Sequence, residues 1–200
     1  MRNVQLARAS ARNGLSVEKA ILQRRSRRNF TGRTMSSDEL SRILYYSCGI
    51  TDERNGLRAA PSAGATYPIE VYTMANNVED LPRGIYRYLV DSHELELVRD
   101  GDFRREMSQA ALGEKMLLQA NVILVLSAIF QRTQRRYRER ALRYILFEAG
   151  HIAQNTCLIA TSMGLGSCAI GAFYDDDMNR LMGFDGREES VLYIVAVGHI

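Results

Sequence analysis

Lysine, cysteine and long apolar runs are all scarce in this chain, and each shortage excludes something. Lys19 and Lys115 are the only lysines among 26 basic residues, so nearly all the positive charge sits on arginine. The three cysteines, Cys48, Cys157 and Cys168, form no CxxC pair, and an odd number argues against a disulfide framework. His151 precedes Cys157 by six residues, which is not metal-ligand spacing, and no metal site is expected. Such cysteine usage suits a reducing compartment, so a cytoplasmic location is the expectation. The longest apolar stretch, Val122 to Phe130, is too short to cross a bilayer, and the N-terminus lacks the apolar run of a signal peptide. Repeats and low-complexity tracts are absent, and no membrane partner is expected.

The 200 residues are 46% hydrophobic, enough for one domain with a proper core, taken as 1–200. Charged residues make up 24% with a net charge of +3, which excludes disorder and gives weak support for an anionic ligand. That excess does not by itself indicate nucleic acid.

Periodicity places the elements. Ser16 to Leu22 reads as a short helix capped by Ser16. A second helix opens at Ser36-Ser37-Asp38-Glu39 and ends at Gly49, with Leu40, Ile43, Leu44 and Ser47 at helical spacing. Residues 50–68 read as a long loop. Ile69 to Met74 reads as a strand, and Gly84 to Val90 with Glu94 to Val98 as a hairpin. Asp102 to Leu112 and Glu114 to Gln119 read as helical, Val122 to Phe130 as a buried strand. Arg135 to Met163 reads as one long helix, apolar on more than one face and stopped by Gly164. Ser167 to Ala172 and Val191 to Val197 read as strands around a helix at Asp175 to Met182. This order suits an α+β domain better than a βαβ array.

Four segments carry chemistry. Arg24-Arg25-Ser26-Arg27-Arg28 packs four guanidinium groups and a hydroxyl together, a donor set for phosphate or else a solvated basic turn. Pro61-Ser62-Ala63-Gly64 could bring backbone N–H groups close to a flat or anionic ligand, or form an ordinary turn. Gly164 to Phe173 is rich in small residues, either to admit a planar ring or to pack a helix tightly on a strand. Its glycines follow a helix and open a strand, the wrong order for a dinucleotide fingerprint. Glu148, His151 and Asn155 sit at i, i+3 and i+7 of the long helix, a catalytic stripe or, more commonly, a structural hydrogen-bond network.

These segments, with Gly84-Ile85-Tyr86-Arg87-Tyr88 and Tyr137-Arg138-Glu139-Arg140, together resemble the FMN-dependent nitroreductase superfamily, and within it the SagB-type dehydrogenases that include azoline oxidases. The resemblance runs from about residue 20 to the C-terminus. It implies a nitroreductase-like α/β/α sandwich with a central, mainly antiparallel sheet and a long buried helix, in an entwined homodimer with FMN at the interface. Residues 1–15 would then be a flexible or dimer-wrapping N-terminal segment. By the same resemblance Arg24, Ser26 and Arg28 hold the FMN phosphate and ribityl chain, with Arg25 close by. Pro61, Ser62, Ala63 and Gly64 reach the flavin from the partner subunit, and Ala169, Ile170, Gly171 and Ala172 lie beside the ring. Tyr137 is the candidate catalytic donor. A small-molecule substrate, with NADH or NADPH as a second one, is implied.

Azoline oxidases resemble one another in a Lys-Tyr pair before the long helix; here it reads Arg136-Tyr137. Lysine can be desolvated into a base, whereas arginine stays protonated. That substitution points to an alternative, a non-catalytic flavin-binding partner protein with the same fold. Relatives often continue past the point where this chain reads Gly198-His199-Ile200. A nucleic-acid binder using the arginines of 132–143 is disfavoured, because only Tyr137 and Tyr144 interleave with them and no nucleic-acid partner is expected.

Overall fold

The computed structural model describes residues 3–7 and 14–200. Two alternating strands of hydrophobic logic meet in the central strand β7 (Val122–Ile129), which is buried along nearly its whole length. Val122, Leu124, Leu126 and Ala128 face one core, while Ile123 and Val125 face the other. A period of two on a strand covered on both sides explains the unbroken apolar run.

Around it lies a seven-stranded sheet in the order β1-β6-β5-β4-β7-β9-β8. Its remaining strands are β1 (Asn3–Gln5), β4 (Ile69–Ala75), β5 (Gly84–Leu89), β6 (Glu94–Asp100), β8 (Leu165–Ile170) and β9 (Glu189–His199). Every neighbouring pair is antiparallel. Of the N-terminal segment 1–15, Asn3–Gln5 pair with Glu94–Glu96 as the sheet's edge strand; residues 1–2 and 8–13 lie outside the described residues.

One face carries α1 (Val17–Gln23), α2 (Ser37–Cys48) and α5 (Ala141–Ser162). The other carries α3 (Arg104–Ala110) and α6 (Asp175–Met182). Helix layers on both faces make the expected α+β sandwich, and its mainly antiparallel sheet is as anticipated. Helix α2 starts in a capping box: Ser36 accepts from the Glu39 amide, and Glu39 accepts from the Ser36 amide. Leu40, Ile43 and Leu44 then bury completely, so truncating Leu44 to Ala costs about 2–5 kcal/mol.

Two expectations need correction. The loop 50–68 contains a small ladder, β2 (Ile50–Asp52) with β3 (Leu57–Arg58), whose turn is tied by Asp52 accepting from the Arg54 and Asn55 amides. The long helix is broken. Helix α4 (Phe130–Tyr137) ends where Arg138 takes φ 48°, ψ −124°, and a 3-10 turn at Arg138–Arg140 leads into α5. Within a single chain helix α5 leaves Leu142, Leu146 and Phe147 about half exposed.

Candidate functional site

The arginine turn is strapped to the edge of the sheet. Ser26 bridges Ser167 in parallel, the Arg27 amide donates to the Ser167 carbonyl at 2.9 Å, and the Thr31 amide donates to the His199 carbonyl at 2.9 Å. Phe30 is buried and pins the strap. The strap passes so close that a Cβ on Gly166 would stand 2.9 Å from the Arg27 side chain. This glycine therefore serves close packing of the strap and of Ile200 on β8, a contact distinct from the helix–strand packing that the sequence suggested. Arg24 is half-buried at the end of α1, and Arg25, Ser26 and Arg28 are exposed. The Arg25 guanidinium donates to the Leu22 and Arg24 carbonyls at 3.0 and 2.7 Å. Arg25 and Arg27 line a cavity of about 380 Å³ with Thr161 and Gly164. Arg27 belongs with the other arginines here, although the resemblance assigned it no role.

From that turn β8 runs toward the small residues. Ala169 is half-buried, Ile170 is buried, and Gly171 and Ala172 are exposed just past the strand end. A Cβ on Gly171 would meet nothing closer than the Tyr193 ring at 3.6 Å. Strand spacing sets about 13 Å between Ser167 and Gly171. The arginine turn and the open Gly171–Ala172 edge thus lie along one strand, at a separation suited to a ligand with an anionic tail and a flat head.

A second cluster forms at the other end of α5. Ser62 precedes a 3-10 turn at Ala63–Ala65, and its oxygen accepts the Tyr67 amide at 2.9 Å. Pro61 and Gly64 are exposed, Ser62 and Ala63 half-buried. The Arg136 guanidinium donates to the Gly64 carbonyl at 3.0 Å, and Thr66 shares a hydrogen bond with Thr133 at 2.9 Å. Tyr137 is half-buried and stacks edge-on to Tyr144 at 4.7 Å. Arg136 and Tyr137 meet the loop from the last turn of α4, just before the break at Arg138.

The stripe on α5 does not form one network. Glu148 is only 3% exposed and turns under the 62–69 loop. Burial raises its carboxyl to about 7, against the opposing pull of Ser62, Arg58, the Ile69 amide and Arg132. Asn155 donates to the Ser47 and Ala59 carbonyls, a structural role, and His151 is exposed. Nearby, Glu70 holds Arg87 at 2.9 Å and Arg132 at 2.5 Å, and Arg58 lies over the Tyr67 ring at 4.3 Å. Periodicity gave no signal for that triad, because its members come from three separate elements.

All three cysteines are free and buried, and burial pushes the Cys48 thiol up to about 12. Among the described residues no three His, Cys, Asp or Glu side chains gather in a way that could hold a metal, and no helix is long and apolar enough to cross a membrane.

A strapped arginine turn, a strand ending in open small residues, and a separate serine–glycine loop define a class of fold and site that the comparisons identify. The chain belongs to the nitroreductase family, whose model matches residues 21–199. It is 37% identical over 184 residues to MJ1384 of Methanocaldococcus jannaschii, which carries the nitroreductase name, covering 92% of this chain and 91% of that one. A solved Ralstonia eutropha structure, also named for the nitroreductases, superposes with TM-score 0.86 at 26% identity, covering all of this chain and 90% of the other. The microcin B17-processing protein McbC of Escherichia coli is 28% identical over 171 residues, 83% of this chain. The chain spans 63% of McbC, less than two thirds of its length. Through such relatives the similarity extends to the SagB-type dehydrogenases. Family membership implies an oxidoreductase that uses a flavin.

Proposed function

We propose that this protein is an FMN-dependent oxidoreductase that works as a homodimer, with each flavin held between subunits. The observation that carries the reading is the placement of the two clusters at opposite ends of α5. That helix has 22 residues and so is about 33 Å long, which sets the two clusters of one chain apart. A two-fold dimer packed along α5 brings the arginine turn of one subunit to the serine–glycine loop of the other. The exposed stripe of Leu142, Leu146 and Phe147, with open space over Gly150, supplies an apolar face for that contact.

The residues present fit FMN. Arg24, Arg25, Ser26, Arg27 and Arg28 would hold the phosphate and ribityl chain by charge-assisted donors. Ala169 to Ala172 would lie beside the ring, where Gly171 leaves the backbone bare. Pro61 to Gly64 of the partner subunit would close the other side. When bound, FMN supplies hydride transfer at N5 between a nicotinamide or organic donor and an acceptor. The chain's own residues orient the ring, exclude water and offer Tyr137 as a proton or hydrogen-bond donor. The Arg136 guanidinium donates to the Gly64 carbonyl, so no general base is assigned to it.

The test is the absorption spectrum of purified protein, identification of the released flavin, and anaerobic addition of NADH and NADPH. A yellow protein that releases FMN and bleaches supports the reading. A colourless protein that cannot be reconstituted with FMN overturns it.

A further inference from the structure

Another cavity opens just past the serine–glycine loop, beside Thr66, Tyr67 and the start of β4. It measures about 330 Å³. Three arginines from separate elements line it: Arg58 of β3, Arg87 of β5 and Arg132 of α4. The sheet register explains part of this gathering. Arg87 stands opposite Tyr72 in the β4–β5 ladder, so Glu70, two residues before Tyr72, lies diagonally on the same face.

The Glu70 side chain is only 11% exposed, and its one carboxylate serves two arginines. Oε2 accepts from Nε of Arg87 at 2.9 Å and pairs with Nη2 at the same distance. Oε1 accepts from Nη1 of Arg132, which also donates to the Tyr67 carbonyl at 2.9 Å. These bonds tie α4 to the sheet but use only part of each guanidinium fork. Nη1 of Arg87 and Nε and Nη2 of Arg132 make no hydrogen bond among the described residues. Arg58 is less committed still. Its guanidinium lies over the Tyr67 ring at 4.3 Å and has no hydrogen bond or ion pair among the described residues. A brace for α4 needs only the two arginines that hold Glu70; it gives no reason for a third beside them.

We propose that this cavity is a binding site for a small organic carboxylate, held by the unused N–H donors of Arg58, Arg87 and Arg132. The planar fork of a guanidinium matches a carboxylate. The lining sets three guanidinium groups against the carboxylates of Glu70 and Asp91, which leaves one positive charge in excess. Outside the lining, Glu96 stands opposite Arg87 on β6, and the buried Glu148 lies near Arg58 and Arg132; both offset part of that excess. Such a balance accommodates one added negative charge and repels a second, so a carboxylate is favoured over a phosphate dianion. The volume is at the low end for ligand pockets, which limits the acid to a small one. The site shares no residue with the arginine turn or with Ala169 to Ala172, and its chemistry needs no flavin.

The experiment follows the arginine Nε–H signals by NMR while butyrate, butyramide or butyl phosphate is titrated into the purified protein. Ionic strength is fixed, at about pH 8, where the phosphate ester carries two charges. Butyrate should shift the Arg58 and Arg132 signals saturably, and the neutral amide should not. Arg58→Gln leaves the Glu70 pairs in place and should weaken butyrate binding about tenfold or more, because hydrogen bonds to charged groups are the strong ones. Arg105→Gln, exposed on α3 across the sheet, should leave binding unchanged. Butyl phosphate should bind more weakly than butyrate; equal or tighter binding would overturn the carboxylate assignment. Absence of saturable shifts, or equal affinity in Arg58→Gln, would overturn the site and leave the cluster as a brace for α4. If Arg58→Gln does not fold, the location of the wild-type shifts decides alone. Colourless protein that gives the butyrate pattern keeps the carboxylate site and loses only the flavin reading; yellow protein without the pattern does the reverse.

Discussion

The phenolic oxygen of Tyr137 lies against Gly64, so close that a Cβ on Gly64 would stand 2.6 Å from it and 2.8 Å from the Arg136 guanidinium carbon. Gly64 also has φ 58°, a conformation that favours glycine. The contact joins a loop near the start of the sheet to the broken end of α4, and only glycine meets both demands.

Gly64→Ala should therefore destabilise the protein by about 1–3 kcal/mol, through left-handed strain and overpacking. Adding Tyr137→Phe removes the nearest atom and should recover part of the loss. Urea unfolding of the two single variants and the double variant measures the coupling. Additive effects would show that the phenol does not press on the loop.

If Arg25 and Arg27 grip a phosphate, their loss should discriminate between flavins. Replacing both with Ala should weaken FMN binding about tenfold or more, since charge-assisted hydrogen bonds contribute roughly 1.5–3 kcal/mol each. Riboflavin lacks the phosphate, so its affinity should barely move. Fluorescence titration of both flavins reads this directly, and equal losses would remove the arginine turn from phosphate binding.

Glu148 also links stability to pH. Its carboxyl is raised in the folded protein to about 7 from the ordinary value of 4.5. Between these values the folded state binds more protons than the unfolded state. The stabilisation is thus full below about pH 4.5 and is lost as pH rises through about 7, amounting to roughly 3 kcal/mol at most. Glu148→Gln should flatten this component. Urea unfolding across the interval, wild type against variant, isolates it from all other titrating groups.

Legibility in the sequence followed the range of the interaction. Strand β7 and helix α6 were readable because their burial patterns are local and periodic. The break between α4 and α5 was not, because neither glycine nor proline marks Arg138. The ladder of β2 with β3 was hidden because each strand is only two or three residues long. Glu148 stood out as a polar residue on an apolar helix, but its stripe with His151 and Asn155 suggested a shared network that packing divides. The Glu70–Arg132 pair spans 62 residues of chain, beyond any motif.

The exposed stripe on α5 is the subunit contact of the proposed dimer. Leu146 and Phe147 are 49% and 56% exposed, on a helix whose opposite side buries Ile145, Ala149 and Ile152. Substituting Asp for Phe147 leaves that inner side untouched, so a monomer should stay folded. At a subunit contact, however, it would place a charge in an apolar, desolvated surface. Light scattering should then show Phe147→Asp as a monomer where wild type is a dimer. If, as proposed, each flavin is held by elements of two chains, bound FMN should fall in parallel with the dimer fraction. Val98→Asp serves as a control: Val98 is 44% exposed on β6, away from α5, and should leave both mass and flavin content unchanged. A Phe147→Asp variant that remains dimeric and yellow would remove α5 from the interface, and with it the argument that the two clusters meet across subunits.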